Sequence, residues 1–453
     1  MDWSGFPDVA AIGLLICAFA SVSRHSHTPV SGFWLTGWLL ILLHFVAALF
    51  WNLPGVWGEL SFILLSASLA GAGILYMHAS IPYRNSPSSH WMLGSLLTAN
   101  TLYITAMCFA PDGHWTLTVT AALLGLCPLA VMLASVRRVN HPLRWVIAVL
   151  YGALSIFLLI FQNRPGNGSD LAWNAVMFTV YLGCCIFACY AFGRATAGAF
   201  VTIAGFFSWA TVFVAAPLMN AYEPLVHVDR EAWNLPKYVV AVGMMLLLLE
   251  DQLEHNKHLA LHDVLTGLPN RRLFQDRMTS AIERSRRSGA EMALLVMDLD
   301  GFKQVNDTKG HHVGDLVLQR VAKLFAERAR RSDTLSRTGG DEFSLILEEP
   351  VSRANAEFVA ESLRQMLKEP LDLEGQKVRI GASIGIAIFP EDATDAESLC
   401  IAADLNMYDV KNRSRKANQY AQPAKRKSSP ARESAIKETL RLSQPSIDPC
   451  NES

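Results

Sequence analysis

The sequence predicts a polytopic α-helical membrane region followed by an α+β domain built on a central antiparallel sheet. Residues 1–249 alternate long apolar runs with short polar breaks, whereas residues 263–421 alternate short strand patterns with amphipathic helices. No lysine precedes Lys237 and most of the charge follows it, so the two parts suit different solvents. A composition of 51% hydrophobic and 17% charged residues also indicates membrane segments.

Nine apolar runs make up the first part, and most have the roughly 20 residues that a helix needs to cross a hydrocarbon core. They cover residues 9–23, 33–51, 57–79, 91–110, 115–136, 143–161, 172–193, 198–216 and 233–249. Tryptophans lie near the run ends, as in an interfacial aromatic belt: Trp34, Trp51, Trp57, Trp91, Trp115, Trp145 and Trp233.

The charges in the polar breaks predict which side of the membrane each break faces. With nine spans and a cytoplasmic C-terminal part, the N-terminus lies outside. The inner breaks then hold basic residues and no acid, namely Arg24, Arg84, Arg137, Arg138, Arg144 and Arg194. The outer breaks are mainly acidic, with Glu59, Asp112, Asp170, Glu223, Asp229 and Glu231 against Arg164 and Arg230. This asymmetry follows the positive-inside rule and predicts an integral membrane protein whose C-terminal part is cytoplasmic.

Ionisable side chains are almost absent inside the runs. Ion and proton pathways need such groups, so the pattern favours a sensor or anchor over a transporter regulated by its C-terminal part. His44, near the middle of a run, is interpreted as an interhelical hydrogen-bonding residue, with a haem or metal ligand as the alternative. The cluster of Cys184, Cys185 and Cys189 is interpreted as packing side chains, with a metal site as the alternative.

Residues 250–262 continue the last run as a polar helix that links the two parts. Leu249, Leu253 and Ala260 share one face of this helix, which would suit pairing with a second copy in a homodimer. A rigid helix could carry movement from the membrane to the cytoplasm, unlike a Gly/Ser linker. The tail, residues 422–453, is predicted to be disordered.

The elements of residues 263–421 follow a βαββαβ-like order, which predicts an antiparallel sheet with packed helices. Strands are predicted over residues 292–297, 343–348, 377–381 and 383–388. Helices are predicted after Asn270, from near Asp315, and over residues 352–368 and 395–412.

Two pairs of acids are predicted to lie near one another in this domain. Strand 292–297 ends in Asp298 and Asp300, which alternation places on one face. Gly339 and Gly340 predict a hairpin turn through positive φ, and Asp341 and Glu342 follow at its tip. These carboxylates could bind one or two Mg²⁺ ions beside a phosphate. For the hairpin alone, a solvated acidic turn is the alternative.

Several motifs in a fixed order resemble the GGDEF family of diguanylate cyclases over about residues 260–421. They are Asp263-x-Leu265-Thr266-Gly267-Leu268-Pro269-Asn270-Arg271, Asp298-x-Asp300-x-Phe302-Lys303-x-x-Asn306-Asp307-x-x-Gly310-His311-x-x-Gly314-Asp315, Gly339-Gly340-Asp341-Glu342-Phe343, Ser383-Ile384-Gly385-Ile386-Ala387 and Ala403-Asp404-x-x-Met407-Tyr408-x-x-Lys411-x-x-x-Arg415. Asn406, Val410 and Ser414 depart from the family pattern. The resemblance implies a fold like that of nucleotidyl cyclases and the polymerase palm.

The resemblance also implies a reaction, in which a homodimer with one GTP in each half-site joins two GTP into cyclic di-GMP and releases pyrophosphate. Asp298, the carbonyl of Leu299 and Asp341 would bind Mg²⁺ or Mn²⁺, and Asp341 or Glu342 would help to deprotonate the 3′-hydroxyl. The residues that would contact substrate are Lys303, Asn306, Asp315, Gly339, Gly340, Lys411 and Arg415, with Asn306 and Asp315 on guanine and the basic residues on phosphate. No nucleic-acid partner is expected. The alternative is a catalytically silent domain that only binds GTP or cyclic di-GMP.

Arg330-Arg331-Ser332-Asp333 resembles the product-inhibition site of this family, where Arg330 and Asp333 would grip cyclic di-GMP. An arginine fork suits phosphate and the Hoogsteen edge of guanine, and a carboxylate suits its N–H donors. The alternative is a helix C-terminus rich in arginine, which the helix dipole favours.

Overall fold

The structure, a computed structural model, describes residues 5–24, 26, 28, 30–82, 84–110, 113–135, 143–162, 168–192, 196–220, 230–348 and 352–421. The chain divides into two compact units, residues 1–256 and 257–453. The tail predicted to be disordered lies outside the described residues, as do several charges behind the predicted orientation: Asp112, Arg137, Arg138, Arg164, Arg194, Glu223 and Asp229.

Each predicted apolar run of the first unit forms a helix. The bounds are α1 Phe6–Ser23, α2 Ser31–Ala48, α3 Val56–Ala79, α4 Pro87–Phe109, α5 His114–Ser135, α6 Leu143–Phe161, α7 Gly168–Ala191, α8 Ala197–Asn220 and α9 Arg230–Leu261. Within the described residues, eight helices are long and apolar enough to cross a membrane, and α6 contains a shorter apolar helix, Trp145–Phe161. The prediction of a polytopic helical region is therefore confirmed, and α9 includes the predicted linker.

Helices α3 and α7 form the centre of the first unit, since 61% of the apolar window of each is buried. The close approach of α3 to both α7 and α2 depends on glycines. A side chain at Gly73 of α3 would collide with Val180 of α7, and one at Gly37 of α2 would collide with Tyr76 of α3. His44 Nδ1 lies 3.0 Å from the carbonyl of Leu65 on α3, which confirms its interpretation as an interhelical hydrogen-bonding residue.

The first unit also contains a buried cation that the sequence analysis did not single out. Lys237 of α9 is 8% exposed, donates a 2.6 Å hydrogen bond to Asn234 Oδ1 and lies 4.6 Å from the ring centre of Phe45. Asn234 in turn donates to Asp8 Oδ2 of α1 at 3.0 Å. A charge in such surroundings is tolerated because hydrogen bonds and a nearby carboxylate compensate for lost water.

The second unit is the predicted α+β domain. Its elements are α10 Arg271–Ser288, β1 Met292–Asp300, α11 Phe302–Lys309, α12 His311–Arg328, β2 Thr334–Arg337, β3 Glu342–Leu347, α13 Arg353–Met366, β4 Leu371–Leu373, β5 Gln376–Val378, β6 Gly381–Phe389 and α14 Ala396–Ala421. Four strands form an antiparallel sheet in the order β2-β3-β1-β6, and β4 and β5 form a separate hairpin.

Strand β1 lies inside the sheet and is buried on both faces. Its residues Met292, Leu294 and Val296 share a core with α10 and α14, and the alternate residues, from Ala293 to Leu299, share a core with α12 and α13. This alternation sets the face of every later residue of the strand. Asp298 and Asp300 therefore lie on the α14 face, as their spacing predicts.

Three short strands differ from the prediction, and one of them is β4, Leu371–Leu373, which was not predicted. The four-residue edge strand β2 was not predicted, because its length is too short for a visible alternation. The strand predicted near residues 377–381 is present as the shorter β5, Gln376–Val378, which pairs with β4 and not with the main sheet, and Gly381 already begins β6.

Candidate active site

The acidic hairpin lies next to the end of β1. Asp298 of β1 is in register with Glu342 of β3 on one side and with Ser383 of β6 on the other. The Leu299 amide donates to the carbonyl of Asp341 at 3.2 Å. The predicted metal ligands Asp298, Leu299 and Asp341 are thus held together by the sheet itself.

The hairpin confirms the predicted turn but not its predicted backbone. Neither Gly339 nor Gly340 has a positive φ. Glycine serves a different purpose here, because a Cβ at Gly339 would lie 2.6 Å from a carboxylate oxygen of Glu342. The absence of a side chain at Gly339 thus leaves room for the carboxylate of Glu342, whose flexible side chain is exposed.

An arginine clamp fixes this turn, and the sequence analysis did not identify it. Arg337 donates through Nε and Nη2 to the carbonyl of Gly340 at 3.1 and 2.7 Å and through Nη1 to Asp263 Oδ1 at 2.8 Å. Thr266 also donates to Asp263 from its amide and hydroxyl. Burial raises the pKa of Asp263, but the hydrogen bonds from Thr266 and Arg337 outweigh it and leave this pKa below its ordinary value.

The turn is electrostatically strained by its own carboxylates. Burial raises the pKa of Asp341, and the neighbouring charge of Asp298 raises it further. Burial likewise raises the pKa of Glu342, with added contributions from Asp298, Asp404 and Asp341. Like charges that converge in this way favour any cation that can enter among them.

Lys411 is the cation that the structure brings to this cluster. Its Nζ lies 2.6 Å from Asp298 Oδ1, and the two side chains are 23% and 14% exposed. Helix α14 is held in place for this contact by Asn406, whose amide donates to the carbonyl of Ile386 in β6 at 2.8 Å. Asn406, which departs from the family pattern, thus helps to hold α14 against the sheet. Arg415 lies one turn further along α14, and its side chain is outside the described residues.

The residues present suit a divalent cation in their chemistry. Carboxylate and carbonyl oxygens are the ligands that Mg²⁺ prefers. Burial first, and then repulsion from Asp298, raise the pKa values of Asp341 and Glu342, and a bound cation would relieve the repulsion. Among the residues described, no group of three or more His, Cys, Asp or Glu side chains is already arranged as a metal site. Asp298 is instead neutralised by Lys411.

The predicted guanine-binding residues come from the α11–α12 pair. The side-chain oxygen of Asn306 is buried without a hydrogen-bond partner and lies against Gly314, where a side chain would collide with it. Asp315, the next residue, is exposed on α12, and Lys303 is exposed on α11. An unpaired buried amide oxygen is costly, and a ligand N–H donor could satisfy it.

The predicted inhibition motif forms a turn between α12 and β2. Asp333 accepts from the Arg330 amide at 2.8 Å, and the Asp333 amide donates to the Arg330 carbonyl at 3.0 Å. The Arg330 side chain is exposed. Asp333 therefore shapes the turn, whereas the Arg330 side chain projects away from it.

The second unit is an α+β domain with a four-stranded antiparallel sheet and helices on both faces. Its acidic site lies at one end of the sheet, where the hairpin meets the end of β1. Residues 260–417 match the family model described as "Diguanylate cyclase, GGDEF domain". This part of the chain is a GGDEF domain, as the sequence motifs predict.

Curated relatives resemble the same part of the chain. MucR of Pseudomonas aeruginosa, a bifunctional diguanylate cyclase/cyclic di-GMP phosphodiesterase, is 42% identical over 194 residues, covering 39% of this chain and 28% of MucR. The diguanylate cyclase TpbB of the same organism is 36% identical over 175 residues, covering 38% of this chain and 40% of TpbB. The diguanylate cyclase DgcN of Escherichia coli is 40% identical over 154 residues, covering 34% and 37%. The chain thus spans less than half the length of these relatives.

Solved structures align with the same region. The GGDEF domain of TpbB has 37% identity and a TM-score of 0.33, and the alignment covers 34% of this chain and 89% of that one. The coiled coil and GGDEF domain of DgcB from Caulobacter crescentus, in complex with c-di-GMP, has 27% identity and a TM-score of 0.38, covering 40% and 95%.

Proposed function

We propose that the protein is a membrane-bound diguanylate cyclase that condenses two GTP into cyclic di-GMP with release of two pyrophosphates. The observation that carries the proposal is the convergence of Asp298, Asp341, Glu342 and Lys411 at one end of the sheet. Relatives of the GGDEF domain that are named diguanylate cyclases support the same reaction.

Asp298, the carbonyl of Leu299 and Asp341 would hold Mg²⁺ or Mn²⁺. The bound ion would supply charge stabilisation for the reacting phosphate. In the nucleotide-free protein, Lys411 neutralises Asp298 in its place. We infer that Lys411 leaves Asp298 for the phosphates when nucleotide binds, and that Arg415 and Lys303 add to this grip.

In each transfer, the 3′-oxygen of one GTP forms a bond to the α-phosphorus of the other. The bond from that phosphorus to the oxygen bridging to the β-phosphate breaks, and pyrophosphate leaves with the electron pair. The hydroxyl proton passes to Asp341 or Glu342, which act as the general base. Two such transfers close the ring.

Guanine would be bound between α11 and α12. The unpartnered amide oxygen of Asn306 can accept from an N–H of the base, and the Asp315 carboxylate can accept from the base amine. These contacts would orient the nucleotide, and positioning supplies much of the rate enhancement in a reaction of this kind.

Each subunit holds one GTP in this proposal, so catalysis needs a homodimer. The exposed Leu249 and Leu253 of α9 would pair with those of a second copy. The continuity of α9 from Arg230 to Leu261 supports regulation by the membrane region through this helix. Because the proposed substrate is GTP, we place the GGDEF domain in the cytoplasm and the protein in a bacterial inner membrane. The positive-inside pattern of the loops then places the N-terminus outside.

Feedback inhibition by cyclic di-GMP would act at the turn of residues 330–333. The exposed Arg330 side chain would contact product, and Asp333 would offer its remaining lone pairs to guanine.

The test is incubation of purified full-length protein in lipid nanodiscs with GTP and Mg²⁺, followed by chromatography and mass spectrometry of the products. We expect cyclic di-GMP and pyrophosphate from the wild type and neither from Asp341→Asn. Binding of GTP or cyclic di-GMP without any turnover would instead identify a catalytically silent receptor domain.

A further inference from the structure

Helices of the first unit line a large cavity of about 1680 Å³. Its lining residues come from α2, α3, α4, α6, α7 and α8. The cavity is open on one side, since Trp51, Asp170 and Leu218 of its lining are exposed. Ligand pockets typically span about 300–1,000 Å³. A space of this size is therefore a candidate binding site and not a packing defect.

The wall of the cavity is rich in aromatic side chains: Trp51, Phe62, Phe157, Trp173, Phe178 and Phe213. Trp173 is fixed in position, because its Nε1 donates to Ser66 Oγ at 3.0 Å and its ring lies 5.6 Å from that of Phe213 in an edge-to-face arrangement. Aromatic faces attract organic cations as well as apolar groups.

The polar groups in the wall leave acceptors free, while their donors are mostly used within the protein. The donors of Trp173, Thr179 and Cys108 bond to Ser66, Ala175 and Glu59 respectively. Asn174 donates to the backbone carbonyl of Asp170 at 2.8 Å, which leaves its amide oxygen as an acceptor.

Asp170 gives the cavity its charge. It is the only charged residue among the described residues of the lining, and its carboxylate has no hydrogen-bond or ion-pair partner in the described part of the chain. A carboxylate beside aromatic walls suits a cation with an apolar body and repels an anion.

The cavity lies at the end of the helical unit where α9 begins. Its lining includes the C-terminal ends of α2, α4 and α8 and the N-terminal halves of α3 and α7. Consecutive spans alternate in direction, so these ends share one side of the membrane. That side is the outer one if residues after α9 are cytoplasmic, a placement that rests on the proposed function.

We propose that this cavity binds a lipophilic organic cation, with an aromatic or aliphatic body against the ring-lined wall and its positive charge near Asp170. The first unit is then a receptor for a hydrophobic cation that reaches it from the outer side of the membrane. The cavity and its acceptors carry this assignment, and it holds whether or not the GGDEF domain turns over GTP.

The test uses two probes of the same size and shape and opposite charge, tetraphenylphosphonium and tetraphenylborate. Equilibrium dialysis measures their binding to full-length protein in zwitterionic nanodiscs without GTP, after subtraction of binding to empty nanodiscs. We expect saturable binding of one cation per chain and no saturable binding of the anion.

Three variants locate the site. Asp170→Asn should weaken cation binding by about threefold to fivefold, since it removes an exposed charge and keeps the shape. Ala175→Phe should weaken binding, because it places a bulky ring in the wall that α7 contributes to the cavity. Glu59→Gln, which removes an exposed acid of α3 that does not line the cavity, is the matched control and should bind as the wild type does. Size-exclusion profiles establish that each variant is folded.

The proposal is overturned if the wild type shows no saturable cation binding, which is also the result expected if lipid acyl chains fill the cavity. Equal binding of the anion, or unchanged cation binding by Asp170→Asn, overturns it as well. Because binding is measured without GTP, none of these results bears on whether the protein makes cyclic di-GMP.

Discussion

Lys411→Met removes the ammonium that lies 2.6 Å from the Asp298 carboxylate and keeps a long apolar side chain on α14. The two side chains are 23% and 14% exposed, so the energy of this ion pair should fall between two known cases. A surface pair contributes up to about 1 kcal/mol, and disruption of a buried pair costs about 3–5 kcal/mol. We expect the free energy of unfolding to fall by about 1–2 kcal/mol. For a domain of this size, that is a melting temperature lower by roughly 2–8 °C.

The same substitution should strengthen metal binding in the absence of nucleotide. Two unit charges about 4 Å apart near a protein surface interact by about 4 kcal/mol before screening by salt. Relief of even a third of that repulsion, about 1.4 kcal/mol, would tighten binding about tenfold. GTP turnover should fall at the same time, because Lys411 is proposed to hold the phosphates.

The assay is a Mn²⁺ titration of full-length protein in nanodiscs without nucleotide, followed by the electron paramagnetic resonance signal of free Mn²⁺. Lys377→Met is the matched control, since Lys377 is exposed on β5. Unchanged or weaker Mn²⁺ binding by Lys411→Met, with the control at the wild-type value, would refute the idea that Lys411 competes with the metal for Asp298.

The remaining predictions concern catalysis, assembly and feedback. Asp341→Asn should abolish turnover yet stabilise the fold at neutral pH, by less than about 1 kcal/mol for a partly exposed group. The gain should vanish as the pH falls, because the penalty that accompanies a raised pKa is complete above the folded-state pKa of Asp341 and is lost below its unfolded-state pKa. Thermal unfolding across pH checks this sign, and a stability loss at neutral pH would contradict it. Specific activity of the detergent-solubilised full chain should rise with protein concentration, and a constant rate per chain would exclude a two-subunit site. Arg330→Ala should keep the initial rate but remove the slowing as product accumulates. The hydrogen bond from the backbone amide of residue 330 to Asp333 survives the change. Unaltered progress curves would therefore show that the turn has only a structural role.

Local patterns in the sequence determined the fold class and most of the elements. Apolar runs predicted the helices α1 to α9 that the described residues of the first unit form. A helix satisfies its own backbone hydrogen bonds and needs no distant partner. Alternation in β1 predicted that Asp298 and Asp300 share a face, since strand geometry sets the direction of each side chain. The spaced motifs predicted the GGDEF domain that residues 260–417 form.

Contacts between residues far apart in the chain were decided by the tertiary structure. The clamp between Arg337 and Asp263 joins residues 74 positions apart, and the pair of Lys411 and Asp298 joins residues 113 positions apart. No periodic pattern in the sequence predicts either of these two contacts. The backbone of the hairpin was likewise decided by the tertiary structure, since neither Gly339 nor Gly340 has the positive φ that the glycine pair predicted.

The buried Lys237 and the cavity beside Asp170 show the same division. In sequence, Lys237 is a single charge near the start of an apolar run, and only the packing of α1, α2 and α9 surrounds it with Asn234, Asp8 and Phe45. The cavity depends on which helix faces meet and how far apart their side chains hold them. Helix length and hydropathy follow from neighbouring residues, but the space between helices is a property of their packing, which no local pattern in the chain specifies.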